Sequence, residues 1–179
     1  MIEQMSLEEF RSKYADVKSQ VYQEVPIIVS MPALKLTPIN SAALSALGSW
    51  PDRDRTPPNG GWDWGSWAEY FKARHKKYFD VAIWNGSKLC GLALGRLSLR
   101  NVKVRLEIIE GSAEKSHPLK GQIAYIGLTA IEAFGYAVGA EESLIIDPVP
   151  GAIASYRSYG YTLKSGNKQT GQYMSKLLK

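Results

Sequence analysis

From His117 to Tyr161 the chain reads HPLKGQIAYIGLTAIEAFGYAVGAEESLIIDPVPGAIASYRSYGY. Lys120-Gly121 precedes a run with apolar residues at Ile123, Ile126, Ile131, Phe134 and Val138, which predicts a helix that stops at Gly139. Leu144-Ile145-Ile146 reads as a buried strand, and Pro150-Gly151 precedes a short helix that ends at Gly160. Tyr161 to Ser165 and Gln172 to Leu178 then predict a closing hairpin.

Upstream of this stretch the pattern has period two. Phe79 to Trp84 alternates, Asn85-Gly86 marks a tight turn, and Lys88 to Leu97 continues as a second strand. Val102, Val104, Leu106 and Ile108 then form one face of a third strand, with Lys103, Arg105 and Glu107 on the other. Before the strands, Ser6 and Glu9 form a capping box for a helix over 7–23, whose apolar positions are Leu7, Phe10, Tyr14, Val17 and Val21. Pro26 and Pro32 bracket an apolar run, Ile27 to Val29, expected to be extended or loop-like. Leu34 to Leu36 reads as a short strand, and Asn40-Ser41 caps a short helix ending at Gly48. Residues 49–61 hold three prolines and two glycines and predict a long loop, followed by Trp62, Trp64, Trp67 and a helix to about Lys77.

The expected fold is α+β, or mixed α/β: one domain over 1–179 with a helical N-terminal extension (about 1–30). One twisted, mostly antiparallel sheet carries helices on both faces. The 179 residues suffice for one sizeable core. One cysteine, Cys90, excludes an internal disulfide and a cysteine metal cluster, and two histidines argue against a histidine-rich metal site. The polar start, Ile2-Glu3-Gln4, is unlike a secretory signal and no apolar run has membrane-spanning length, so a cytoplasmic protein with no membrane partner is expected. The net charge of +5 is compatible with RNA or a nucleotide cofactor but is equally an ordinary basic surface.

The succession Lys120-Gly121-Gln122, a long helix ending in Gly139-Ala140, a strand, and then Ala152 to Tyr161 resembles the GNAT (Gcn5-related N-acetyltransferase) superfamily. The match covers roughly residues 78–165, and the Tyr156 to Tyr161 segment is its most specific part. The resemblance implies acetyl-CoA, or another acyl-CoA, as cofactor and a primary amine, on a small molecule or a protein, as acceptor. It places the pyrophosphate on Lys120, Gly121, Gln122, Ile123 and Ala124. A helix start suits a pyrophosphate physically, because unpaired N–H groups and the positive end of the dipole converge there. The loop departs from the family where Ile123 replaces a second glycine and Tyr125 a glycine or alanine.

Tyr156 stands where resembling proteins place the tyrosine that protonates the departing thiol, and a phenol is a suitable proton donor at neutral pH. Amine acylation also needs a base. Glu110 is the expected candidate; Glu107 lies three residues earlier and would face the opposite way on a regular strand, unless a bulge intervenes. Trp62 and Trp64 are expected to wall the acceptor pocket, to stack bases beside Arg53 and Arg55, or to staple the proline-rich loop to the core. His117, in a loop before a proline, is expected to be solvent-exposed. Three readings stay open at this point: an acyltransferase, a binding protein on a GNAT scaffold that has lost catalysis, and a protein acting on RNA or aminoacyl-tRNA.

Overall fold

The computed structural model describes residues 6–51, 54–168 and 171–178; Ile2-Glu3-Gln4 and Arg53 lie outside the described residues. The capping box at Ser6 and Glu9 starts α1 (Leu7–Ile28). The helix runs five residues further than its apolar spacing implies, straight through Pro26. Pro26 falls in the last turn, so the missing N–H costs one hydrogen bond near the helix end, while Val29 and Met31 still donate to Val25 and Pro26. After β1 (Leu34–Thr37), Asn40 caps α2 (Ser41–Leu47), and Asp63 caps α3 (Trp64–Arg74).

Strands β2 (Tyr78–Asn85), β3 (Lys88–Leu97) and β4 (Lys103–Gly111) form a meander. The β2–β3 turn has Gly86-Ser87 at its centre, one residue later than the Asn85-Gly86 reading, because Asn85 still pairs with Lys88. Helix α4 (Ile123–Ala137) crosses to β5 (Glu142–Ile146), a short 3-10 turn leads into α5 (Ile153–Ser158), and β6 (Thr162–Lys164) and β7 (Tyr173–Leu177) close the chain. Strand order is β1-β2-β3-β4-β5-β7-β6. Every neighbouring pair is antiparallel except β4–β5. The fold is thus α+β with a mostly antiparallel open sheet.

Each face of the sheet has its own core. On one face α1 and α4 pack through Tyr14, Val21 and Val25, with Phe134 stacked on Phe79 of β2 at 4.8 Å between ring centroids. On the other, α2 and α3 bring Ala43, Leu47, Trp64 and Phe71 against Leu92, Leu94 and Ile108. Among the described residues no helix is long and apolar enough to cross a membrane.

The distance of α4 from the sheet is set by glycine. A Cβ at Gly135 would lie 2.5 Å from Val104 Cγ1, and one at Gly127 2.7 Å from Ile109 Cδ1. At an exposed helix position Gly→Ala gains about 1 kcal/mol of helix propensity. Gly135→Ala is expected to reverse that sign and lower stability by about 1–3 kcal/mol through overpacking, measured by urea unfolding.

Candidate active site in the cleft between β4 and β5

Strands β4 and β5 pair only from Lys103 with Glu142 to Leu106 with Ile145. β4 runs on to Gly111, so among the described residues its last residues have no partner strand on that side. The parting coincides with a bulge: Leu94 pairs with Ile108 but Gly95 pairs with Leu106, so Glu107 is an extra residue in β4. A bulge bends its strand and sharpens the local twist, which turns β4 away from β5. The resulting cleft is lined by Pro58, Trp62, Glu107, Ile109, Asp147 and Tyr156.

The bulge also resets the alternation of β4. Val104 and Leu106 face the α1–α4 core, whereas Ile108 belongs to the α2–α3 core. Glu107 and Glu110 consequently share the α3 side of the sheet. Glu107 pairs with Arg96 (3.0 Å) and Arg105 (3.3 Å) at the cleft wall. Glu110 is 4% exposed and carries the loop before α3: Oε1 accepts from Gly61 N–H at 2.8 Å and from Arg55 at 3.3 Å, and Oε2 accepts from Trp64 Nε1–H at 2.6 Å. Gly61 has φ +72°, and a Cβ there would sit 1.6 Å from the Arg55 carbonyl oxygen, so only glycine lets the loop close on Glu110.

Trp62 is among the residues that line the cleft, and Trp64 is not. Its ring is fully buried beneath α3, where its indole N–H serves Glu110. Trp67, partly exposed on α3, makes an edge contact to Trp62 at 5.9 Å.

Tyr156 reaches the cleft from α5 and is 5% exposed. Burial, and then the neighbouring Tyr159, push its phenol above the usual range, so it keeps its proton at neutral pH. Beyond the end of β4, α4 starts with Gln122 at its N-cap and no side chain capping it, which leaves the N–H groups of Ile123, Ala124 and Tyr125 without partners inside the helix. Lys120 and Gly121 precede them on the surface, and Gly121 has φ +79° with open space where a Cβ would stand. Ile123 does not crowd this opening. Its side chain is buried in the other direction, over Gly91 and Gly111.

Two features escaped sequence reading. Tyr125, on the first turn of α4, packs against Tyr159 of α5 with ring centroids 5.7 Å apart, bridging two segments whose proximity no local pattern encodes. His117 is buried rather than exposed, with Nδ1 lacking a hydrogen-bond partner among the described residues. The loop from Ser112 to Gln122 folds back on itself through Lys120 N–H to the His117 carbonyl and Gln122 N–H to the Leu119 carbonyl, which carries the imidazole inward. Among the described residues no cluster of histidine, cysteine and carboxylate side chains is placed to hold a metal ion.

No family model matches the chain, and no curated protein matches its sequence. Solved structures share its fold. The acetyl transferase of Salmonella typhimurium that modifies the N-terminal serine of ribosomal protein L7/L12 superposes at TM-score 0.61 and 11% identity, over 82% of this chain and 95% of that one. The ribosomal-protein-S18-alanine N-acetyltransferase of Escherichia coli gives 0.57 and 13%, over 81% and 94%. The PaiA N-acetyltransferase of Thermoplasma acidophilum, solved with coenzyme A, gives 0.55 and 13%, over 80% and 98%. The fold is that of the GNAT acetyltransferases.

Glu110→Gln tests the loop anchor. A carboxamide turns its NH2 toward either the Trp64 or the Gly61 donor, leaving one buried N–H unpaired at a cost of about 1–3 kcal/mol. Limited proteolysis is expected to cut the variant faster within residues 54–61 than the parent.

Proposed function

We propose that the protein is an acyl-CoA-dependent N-acyltransferase that moves an acetyl or other acyl group to a primary amine by direct attack in a ternary complex. The observation that carries this reading is the cleft itself: a parted parallel strand pair lined by the protonated Tyr156 and by Glu107 of β4, with the uncapped start of α4 beyond the end of β4.

The residues present fit the cofactor. An anion-seeking helix start and an exposed lysine lie beside a glycine with no side chain in the way. Lys120, Gly121, Gln122, Ile123 and Ala124 would hold the pyrophosphate, the backbone N–H groups doing so and the Ile123 side chain serving the core. Acetyl-CoA supplies the acyl group as a thioester. The free edge of β4 from Glu107 onward offers backbone groups that orient an extended, amide-bearing ligand, and a strand amide can steady a developing oxyanion. Tyr156 Oη holds the proton destined for the leaving sulfur. The amine's proton falls to the β4 carboxylates, Glu107 lining the cleft and Glu110 behind it; pH–rate profiles of the two glutamine variants separate their roles.

The acceptor enters past Trp62 and Trp67. One of the similar structures is named for modifying the N-terminal serine of a ribosomal protein and another for acetylating an alanine of one, so peptide N-termini belong in the acceptor panel beside small amines. The setting we infer is cytoplasmic. A second reading, a GNAT scaffold that binds a partner without catalysis, is favoured by one observation: Tyr125 and Tyr159 touch between α4 and α5, where the cofactor would run.

Acetyl-CoA is expected to raise the Tm, because a ligand bound only by the folded state stabilises it. Absence of binding heat with several acyl-CoAs at high concentration would select the second reading. Tyr156→Phe is expected to lower kcat by roughly 100-fold or more with little change in cofactor Kd, the signature of a lost transition-state proton donor. Thiol release from acetyl-CoA over an amine panel is the assay.

A further inference from the structure

A second cavity, unrelated to the cleft, lies at the opposite end of the sheet. β1 stops at Thr37, before Pro38, so residues Tyr78 to Val81 of β2 have no strand beside them on that edge. α1 covers the gap from one face and α3 from the other, and a cavity of about 570 Å3 remains between them. That volume is in the range of small-molecule sites.

Its lining is basic. Arg11 and Lys18 come from α1, Lys72 and Lys76 from α3 and the turn after it, against one carboxylate, Asp80 of β2. Asp80 is 2% exposed and already engaged, since the Oδ2 atom accepts the Ile39 N–H at 2.8 Å and pairs with Lys72 Nζ at 3.2 Å. Lys18 Nζ sits 3.3 Å above the Tyr78 ring centroid. Among the described residues no carboxylate is within ion-pair distance of Arg11, Lys18 or Lys76. A cation–π contact offsets only part of the cost of desolvating an ammonium. Burial accordingly holds the Lys18 pKa down to about 8, with Lys72 adding to the depression and Asp80 opposing it. The other groups facing it are the phenols of Tyr14, Tyr22 and Tyr78 and the cations of Arg11 and Lys76.

We propose that this cavity binds a small phosphate-bearing molecule, held by Arg11, Lys18, Lys72 and Lys76. A phosphate carries enough charge to answer several cations at once, and the guanidinium fork of Arg11 matches its oxygens. The recess between two helices admits a small molecule. This site stands apart from the acyl-CoA cleft and does not depend on it.

The test is calorimetric titration of pyrophosphate into the full chain, alone and with saturating coenzyme A so that phosphate sites in the cleft are occupied. One pyrophosphate is expected to bind in the presence of coenzyme A, and at least one in its absence. Lys18→Met and Lys76→Gln are each expected to weaken it about tenfold or more, the scale of one charged hydrogen bond. Lys18→Met keeps most of the aliphatic stem and Lys76 is exposed, so thermal melts verify that both variants fold. Labelling with acetic anhydride at pH 8, read by mass spectrometry, supplies an independent measure: pyrophosphate is expected to slow acetylation of Lys18 severalfold. No binding beyond what coenzyme A displaces, or binding that survives both substitutions, overturns the proposal. So does a result in which a short RNA or anionic lipid vesicles shield Lys18 and pyrophosphate does not, because the surface would then serve a macromolecule.

Discussion

The geometry of the cleft depends on one extra residue in one strand. Glu107 has no counterpart on β3, and the strain of accommodating it bends β4 where its pairing with β5 ends. Without that bend a parallel pair of this kind would continue as an ordinary ladder, its backbone groups consumed by each other. With it, a stretch of backbone donors and acceptors is left facing an opening that Glu107 and Tyr156 both line. The same residue reverses which side chains point where. Ile108 and Glu110 move to the α3 face, and the carboxylate of Glu110 meets the loop that carries Trp62.

A buried carboxylate with three donors is a strong organiser of chain that has no regular structure of its own. Among the described residues, the loop from Arg55 to Gly61 supplies two such donors and Trp64 another, so proline-rich chain and the first turn of α3 are tied to a single atom group on β4. The acceptor side of the cleft is thereby referenced to the same strand that forms its wall. Asp80 performs a comparable task at the far end of β2, holding the start of α2 through Ile39 and the side of α3 through Lys72.

Much of the fold was legible because it is written in local chemistry. Ser6 with Glu9, Asn40 before Ser41 and Gly139 after α4 each satisfy orphan backbone groups, and each marks its boundary correctly. The period-two pattern of β2 to β4 identified the strands, and the sheet carries a core on each face as expected. Pro26 misled because its missing N–H costs the helix a single hydrogen bond near its end, and the bonds that Val29 and Met31 donate still close the last turn of α1. The bulge was foreseen only as a condition on Glu107 and Glu110, since nothing in the spacing of one strand reveals the register of its neighbour. His117 was misjudged on exposure, because a loop that folds on itself turns it inward, while Trp64 takes the loop-stapling role through a carboxylate on a distant strand that local sequence could not name. The basic cavity was invisible, because Arg11, Lys18, Lys72 and Lys76 look like separate solvated charges until two helices meet across a strand that stops short.

The order in which the strands lie along the chain also sets an order in time. β2, β3 and β4 are joined by short turns and can zip as hairpins within their own stretch of chain. β5 reaches β4 only after the whole of α4 has crossed over, and loops that long must be closed before the contact returns any stability. During synthesis the meander therefore leaves the ribosome complete while the cleft does not yet exist. A nascent chain halted inside α4 exposes the outer edge of β4 along its full length, the surface most prone to pairing with another molecule. The bulge at Glu107 interrupts that edge from the start, and so guards the unfinished protein at the place where the finished one is open.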